Sequence, residues 1–188
     1  MSLSKAEKKI LLNIARKSIG EELKGNQPFS FEEDYPPKLK EKCGVFVTLT
    51  IDEQLRGCIG YILGFNSLHE QVYDAAKKAA FEDPRFAPLS EDEFEQVEIE
   101  ISVLSVPKRI KSINEIEIGI HGLIIEKDHY HGLLLPQVAV KYKWGREEFL
   151  ENTCLKAGLR KSEWKSPQTK IEIFSAEIFS EKRLMKEK

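Results

Sequence analysis

Apolar and polar positions along the chain change period several times, and each change predicts an element. Ile10, Leu11, Ile14 and Ala15 recur at helical spacing behind Ser4 and Glu7, a capping-box pair. This predicts a helix over 4–23, with Gly25 as its stop. Val45, Val47, Leu49 and Ile51 then alternate, as a half-buried strand does. Asp52 and Glu53 make a short turn, and 54–62 reads as the partner strand of a hairpin. Ser67 with Glu70 caps a second helix carrying Leu68, Val72, Ala75, Ala76 and Ala79 on one face. Pro84 ends it, because the residue before a proline is pushed out of the α conformation. Ser90 with Glu93 opens a short third helix.

Val97, Ile99, Ile101 and Val103 face one way in the next strand, with Glu98, Glu100 and Ser102 facing the other. Two apolar runs, 122–126 and 132–135, flank a polar turn and predict another hairpin. Pro136 suits the first turn of a helix. A further helix carries Phe149, Leu150, Thr153, Cys154 and Ala157, with Gly158 at its stop, and 171–179 is a last strand. Helices mixed with hairpin-linked strands argue an α+β fold with mainly antiparallel sheets flanked by helices.

Composition narrows the class. With 41% hydrophobic residues in 188, the chain buries a real core, which excludes disorder, collagen and a disulfide-stapled miniprotein. Twenty-nine basic against 31 acidic residues leave a net charge of −2, without the basic excess of a protein that lives on nucleic-acid phosphate. No apolar run approaches the ~18 residues that span a bilayer, and the first residues lack the apolar stretch of a secretory signal. Cys43, Cys58 and Cys154 are far apart, with no C-x-x-C spacing. Reduced thiols and a cytoplasmic location follow as expectations. A weak linker is expected near 27–42, where Pro36 and Pro37 forbid a continuous helix. The charged tail 181–188 is expected to fray.

The run Leu55-Arg56-Gly57-Cys58-Ile59-Gly60 is the most unusual local feature. Strand alternation would put Arg56, Cys58 and Gly60 on one face and Leu55, Gly57 and Ile59 on the other. A guanidinium beside a thiol favours thiolate, which makes Cys58 a candidate nucleophile. Gly57 and Gly60 weaken a strand, and so signal the close approach of a ligand or another backbone. Equally, Cys58 can be a small buried hydrophobe. Asp83-Pro84-Arg85-Phe86 opens a loop after the second helix. Its opposite charges beside a rigid proline either offer a fixed polar pair to a ligand or bond the loop backbone.

These motifs carry a resemblance. LRGCIG, the DPRF run followed by Pro88 and Leu89, and Gly132 to Ala139 (GLLLPQVA) stand in the order seen in the AMMECR1 family, as do Phe149-Leu150, Cys154 to Leu159 and Trp164. The chain resembles that family over nearly its whole length. The resemblance implies a two-part fold with a cleft between a larger and a smaller part. The smaller part is expected at 43–96 and the larger at 1–42 plus 97–188. It also implies association with a Memo-like protein and a radical SAM protein, hence a place in an enzyme system. It fixes neither reaction nor cofactor.

Other residues bear on chemistry. His69 opens the second helix, where the positive end of the helix dipole keeps an imidazole neutral, so it is a weak candidate base for Cys58. Gln137 is a candidate site amide, since a buried amide needs partners. His121, His129 and His131 are better explained by a polar turn than by a metal site. Lys141, Lys143 and Arg146 interleave with Tyr142 and Trp144, as in single-strand nucleic-acid binders, but Glu147, Glu148 and Glu151 dilute that field. Cys43 and Cys154 read as structural. No nucleotide-binding glycine loop is present.

Two functions stay open. One is an enzyme or enzyme-system component in which Cys58 reacts while Arg56 and Arg85 hold a small anionic ligand, with Gly57, Gly60 and Asp83 shaping the site. The other is a binding module or adaptor for a protein, a peptide or RNA, in which Cys58 is inert.

Overall fold

The computed structural model describes residues 2–25, 31 and 34–186. Within the expected linker, 27–30, 32 and 33 lie outside the described residues. Chain contacts divide the molecule into two compact units, Met1–Leu104 with Glu177–Lys188, and Ser105–Ala176. Residues 43–96 thus fall in the same unit as 1–42, not in a part of their own. The reason is packing: one core holds Leu11 and Ile19 together with Val45, Leu49, Val72 and Ala76.

The first unit opens with α1 (Lys5–Leu23), closed at its start by the Ser4–Glu7 box. Strands β1 (Val45–Ile51) and β2 (Gln54–Tyr61) form the expected hairpin. Asp52 and Glu53 both take positive φ, 48° and 63°, the backbone that a two-residue hairpin loop requires. Helix α2 (Leu68–Phe81) and the short α3 (Glu91–Phe94) follow behind their predicted boxes. Strand β3 (Glu98–Leu104) pairs antiparallel with the other side of β1. Val45, Val47, Leu49, Ile99 and Ile101 are buried on one face, under α1 and α2.

Two expectations need correction here. The β1–β2 register slips between Leu49 and Thr50, so Leu49 opposes Gly57 and Thr50 opposes Leu55. This bulge breaks the expected alternation: Leu55 is 42% exposed instead of sharing the inward face of Gly57 and Ile59. The tail does not simply fray either. Residues Glu181–Lys186 form a helix, α6, and Leu184 is buried in the first core.

In the second unit, β4 (Lys108–Arg109) pairs with β7 (Lys170–Ser180), whose last residues belong to the first unit. Strand β5 (His121–Lys127) lies between β7 and β6 (Tyr130–Leu134), all antiparallel. Helices α4 (Pro136–Tyr142) and α5 (Arg146–Lys156) complete it. Leu123, Ile125, Phe149, Leu150 and Cys154 make its core. Gly132 is required by contact, because a Cβ there would stand 2.5 Å from the Ala157 nitrogen. No described helix is long and apolar enough to cross a membrane.

Candidate functional site

The LRGCIG strand lies between a helix and strand β1, and each of its glycines answers to one of these neighbours. A Cβ on Gly57 would stand 2.1 Å from the Ala79 carbonyl oxygen of α2. A Cβ on Gly60 would meet the Val45 carbonyl oxygen at 2.2 Å and the Phe46 ring at 2.5 Å. Of the two explanations for these glycines, close backbone approach is the one the geometry supplies.

The other edge of β2 is closed by the DPRF loop. The Cys58 N–H donates to Asp83 Oδ2 at 2.9 Å, and Arg85 Nη2 donates to the Cys58 carbonyl at 3.4 Å. Arg85 also grips Asp83, from Nε to Oδ1 at 2.9 Å and from Nη2 to Oδ2 at 2.6 Å. The two side chains therefore bond to the peptide groups of Cys58 much as a neighbouring strand would. Here the two expected roles of the pair merge, since it bonds backbone and is also a fixed polar unit. The Asp83 side chain is 2% exposed and that of Arg85 is 53% exposed, so solvent meets the cationic end. The Arg85 guanidinium, with the Cys58 amide behind it, holds the Asp83 carboxyl well below the usual range.

Arg56 is committed elsewhere. Its Nε and Nη2 meet the two Glu93 oxygens at 2.7 and 2.9 Å, and Nη2 also donates to the Ala87 carbonyl at 2.9 Å. Glu93 is at the same time the box residue of α3. The Arg56 bonds, helped by the Ser90 amide, draw its carboxyl down to about 2. Arg56 Nη1 is buried with no acceptor among the described residues. The Phe86 ring lies under both guanidiniums, at 5.4 Å from Arg85 and 5.8 Å from Arg56.

Cys58 is half-buried on its strand. Its Sγ lies 3.3 Å from Thr48 Oγ1. Burial pushes the thiol up, and the Thr48 hydrogen bond and the Arg85 charge only partly oppose this. His69 is engaged elsewhere. The imidazole is buried, its Nδ1 is 2.8 Å from the Leu39 carbonyl, and its ring lies tilted against that of Tyr35, 4.5 Å between centroids. Along α2 it lies ten residues before Ala79, the residue under Gly57, a distance of ~15 Å at 1.5 Å per residue.

Arg56, Gly57, Cys58, Asp83 and Arg85 thus come together in the first unit, while Gly60 is fixed by its own contacts and His69 stands apart. Gln137 belongs to the second unit, where its Oε1 is buried with no partner among the described residues. His121 and His131 are separated along the β5–β6 ladder, because His131 opposes Glu126, five residues on from His121. Arg146 donates its Nε to the Ile116 carbonyl at 2.6 Å, a structural use. Cys43 and Cys154 are buried, and burial raises both thiols, Cys43 to about 11.

Sequence reasoning passed over two features. Glu100 sits in the same cross-strand row as Thr48 and Cys58, and burial raises its carboxyl. Tyr61, directly after LRGCIG, donates its hydroxyl to Asp74 and accepts from Lys78 Nζ at 2.8 Å, beside a cavity of about 300 Å³. Asp74 and Lys78 are four apart on α2, a helical ion pair visible in sequence. What hides the trio is that Tyr61 comes from another element.

A model of the AMMECR1 family matches residues 12–179. A Thermococcus gammatolerans protein is 46% identical over 181 residues, covering 91% of this chain and 88% of its own. An Aquifex aeolicus protein is 49% identical over 158 residues, covering 78% of this chain and 81% of its own. The crystal structure of an uncharacterised Pyrococcus horikoshii protein matches with a TM-score of 0.87 at 42% identity, over 93% of this chain and 91% of that one.

Proposed function

The chain belongs to the AMMECR1 family, and from that premise we propose that it is the recognition component of an enzyme system. In this reading it binds an anionic group at the outward end of the Asp83–Arg85 pair, and Cys58 is a structural thiol. The observation that carries the reading is the burial asymmetry of the pair, 2% against 53%, which shows solvent a guanidinium fixed from behind by its own counter-ion. The Phe86 ring beneath that guanidinium adds a flat apolar surface next to the charge. The raised thiol of Cys58 and the distance of His69 weigh against a cysteine nucleophile. The partners expected through the family are a Memo-like protein and a radical SAM protein.

Co-purification of the full chain with those two proteins tests the reading. Cys58→Ala should retain the complex, and Arg85→Gln should weaken it about tenfold, the size of one charge-assisted hydrogen bond. Loss of the complex in a folded Cys58→Ala protein, with Arg85→Gln unaffected, overturns it. The Tyr61–Asp74–Lys78 trio favours a second reading, an enzyme that uses the tyrosine as proton donor. Its hydroxyl is held between the Asp74 carboxylate and the Lys78 ammonium, beside the cavity of about 300 Å³ where a ligand would meet it.

A further inference from the structure

The second unit contains a cavity of about 470 Å³ to which LRGCIG and DPRF contribute nothing. It is lined by Arg109 and Lys111 from one chain segment and by Trp164 and Lys165 from another, over an apolar wall that includes Ile113 and Ile171. A space of this size holds a small molecule.

Charge accounting around it is one-sided. Glu115 pairs with Lys108 at 3.1 Å and accepts the Lys111 backbone N–H. Glu163 is taken by Lys127 and by Arg160. Glu172 opposes Arg109 in the β4–β7 ladder, but its carboxylate meets Lys170 at 3.2 Å. Among the described residues, Arg109, Lys111 and Lys165 are left without an acidic partner. Three cations beside a concave apolar wall attract an anion, and repel one another without it.

Trp164 supplies the second observation. It lines the same cavity, and its indole Nε1–H is buried with no acceptor among the described residues. An indole nitrogen can only donate, so a buried one without an acceptor among the described residues is a place for a ligand oxygen or a water. Lys165 Nζ lies 4.9 Å from the centre of the indole ring, bringing positive charge to the same place.

We propose that this cavity binds a small molecule carrying an oxyanion, a carboxylate or a phosphate, on a short apolar body. The oxyanion takes the charge of Arg109, Lys111 and Lys165 and accepts from the Trp164 indole. The apolar body rests on Ile113 and Ile171. The concave, partly apolar lining favours a small ligand over a nucleic-acid backbone.

The test is a titration of the full chain, with the two indole N–H signals followed by nuclear magnetic resonance. Trp144→Phe identifies which signal belongs to Trp164. The probes are phenyl phosphate, phenylacetate and inorganic phosphate. Either aromatic acid should shift the Trp164 signal saturably in the millimolar range, leaving Trp144 unmoved, and should bind more tightly than inorganic phosphate. The stronger of the two names the oxyanion. Arg109→Gln with Lys111→Gln should weaken binding by about tenfold or more. No saturable shift, or equal binding in the double variant, overturns the site. So does a single-stranded oligonucleotide that moves the signal more strongly, with a steep salt dependence.

Discussion

At the residue scale, Asp83 and Glu93 have the most measurable consequences. Both carboxyls sit below their ordinary values, Asp83 through Arg85 and Glu93 through Arg56. A carboxyl lowered by folding contributes stability that is full above its unfolded value and is lost as pH falls through its folded one. For Glu93 the window runs from pH 4.5 down to about 2, and for Asp83 it starts at 3.8 and reaches lower. Thermal melts across it should show wild type losing stability more steeply than Asp83→Asn combined with Glu93→Gln. Parallel curves would mean the pairs are not formed. At neutral pH, Asp83→Ala should cost about 2–3 kcal/mol, because it leaves the Cys58 amide without its acceptor, while half-exposed Arg85 is partly rehydrated. The residue types were legible in the sequence and their partners were not. Arg56 and Cys58 are two apart, yet Arg56 turns to Glu93, 37 residues on, and it is Arg85, 27 residues on, whose charge reaches the thiol.

At the scale of elements, capping boxes and alternation carry most of the information. Ser4, Ser67 and Ser90 with their glutamates mark three helix starts, and all three form as read. What alternation misses is the bulge between Leu49 and Thr50, since register depends on both strands and the reading had only one at a time. The two-residue β4 is too short to have a period. The contact of Gly57 with Ala79 ties the LRGCIG strand to α2 and explains why no larger residue fits. Gly57→Ala should destabilise the fold by about 2–3 kcal/mol, as forced overpacking does, measured by denaturant melts. A cost near zero would show that α2 is not seated on the strand.

At the scale of the whole molecule, both ends of the chain join the first unit. Arg16 of α1 pairs with Glu181 of α6 and donates to the Phe94 and Val97 carbonyls at 2.9 and 2.7 Å. Glu181 also accepts the Ile99 N–H of β3 at 3.1 Å. One carboxylate thus links α1, β3 and α6. The sequence hides this because 181–188 carries one buried leucine, Leu184, in a charged run. Glu181→Ala should cost about 2 kcal/mol through the orphaned Arg16 and Ile99 donors, and removal of 181–188 should cost more by exposing the core under Leu184. A truncated chain with an unchanged melting temperature would refute that role. The expected division at 43–96 differs from the observed one for the same reason. A discontinuous unit is written in contacts between distant residues, not in composition.

The state of one thiol separates a recognition protein from a cysteine-dependent enzyme. Read by mass spectrometry across pH in the folded protein, Cys58 alkylation should be slow near neutrality and still rising past pH 9.0, because burial holds the thiol above its ordinary value. Its rate should lie closer to those of buried Cys43 and Cys154 than to that of a free thiol. Fast, pH-independent alkylation of Cys58 at neutrality would mean an activated thiolate, and would return the protein to the class of cysteine-dependent enzymes.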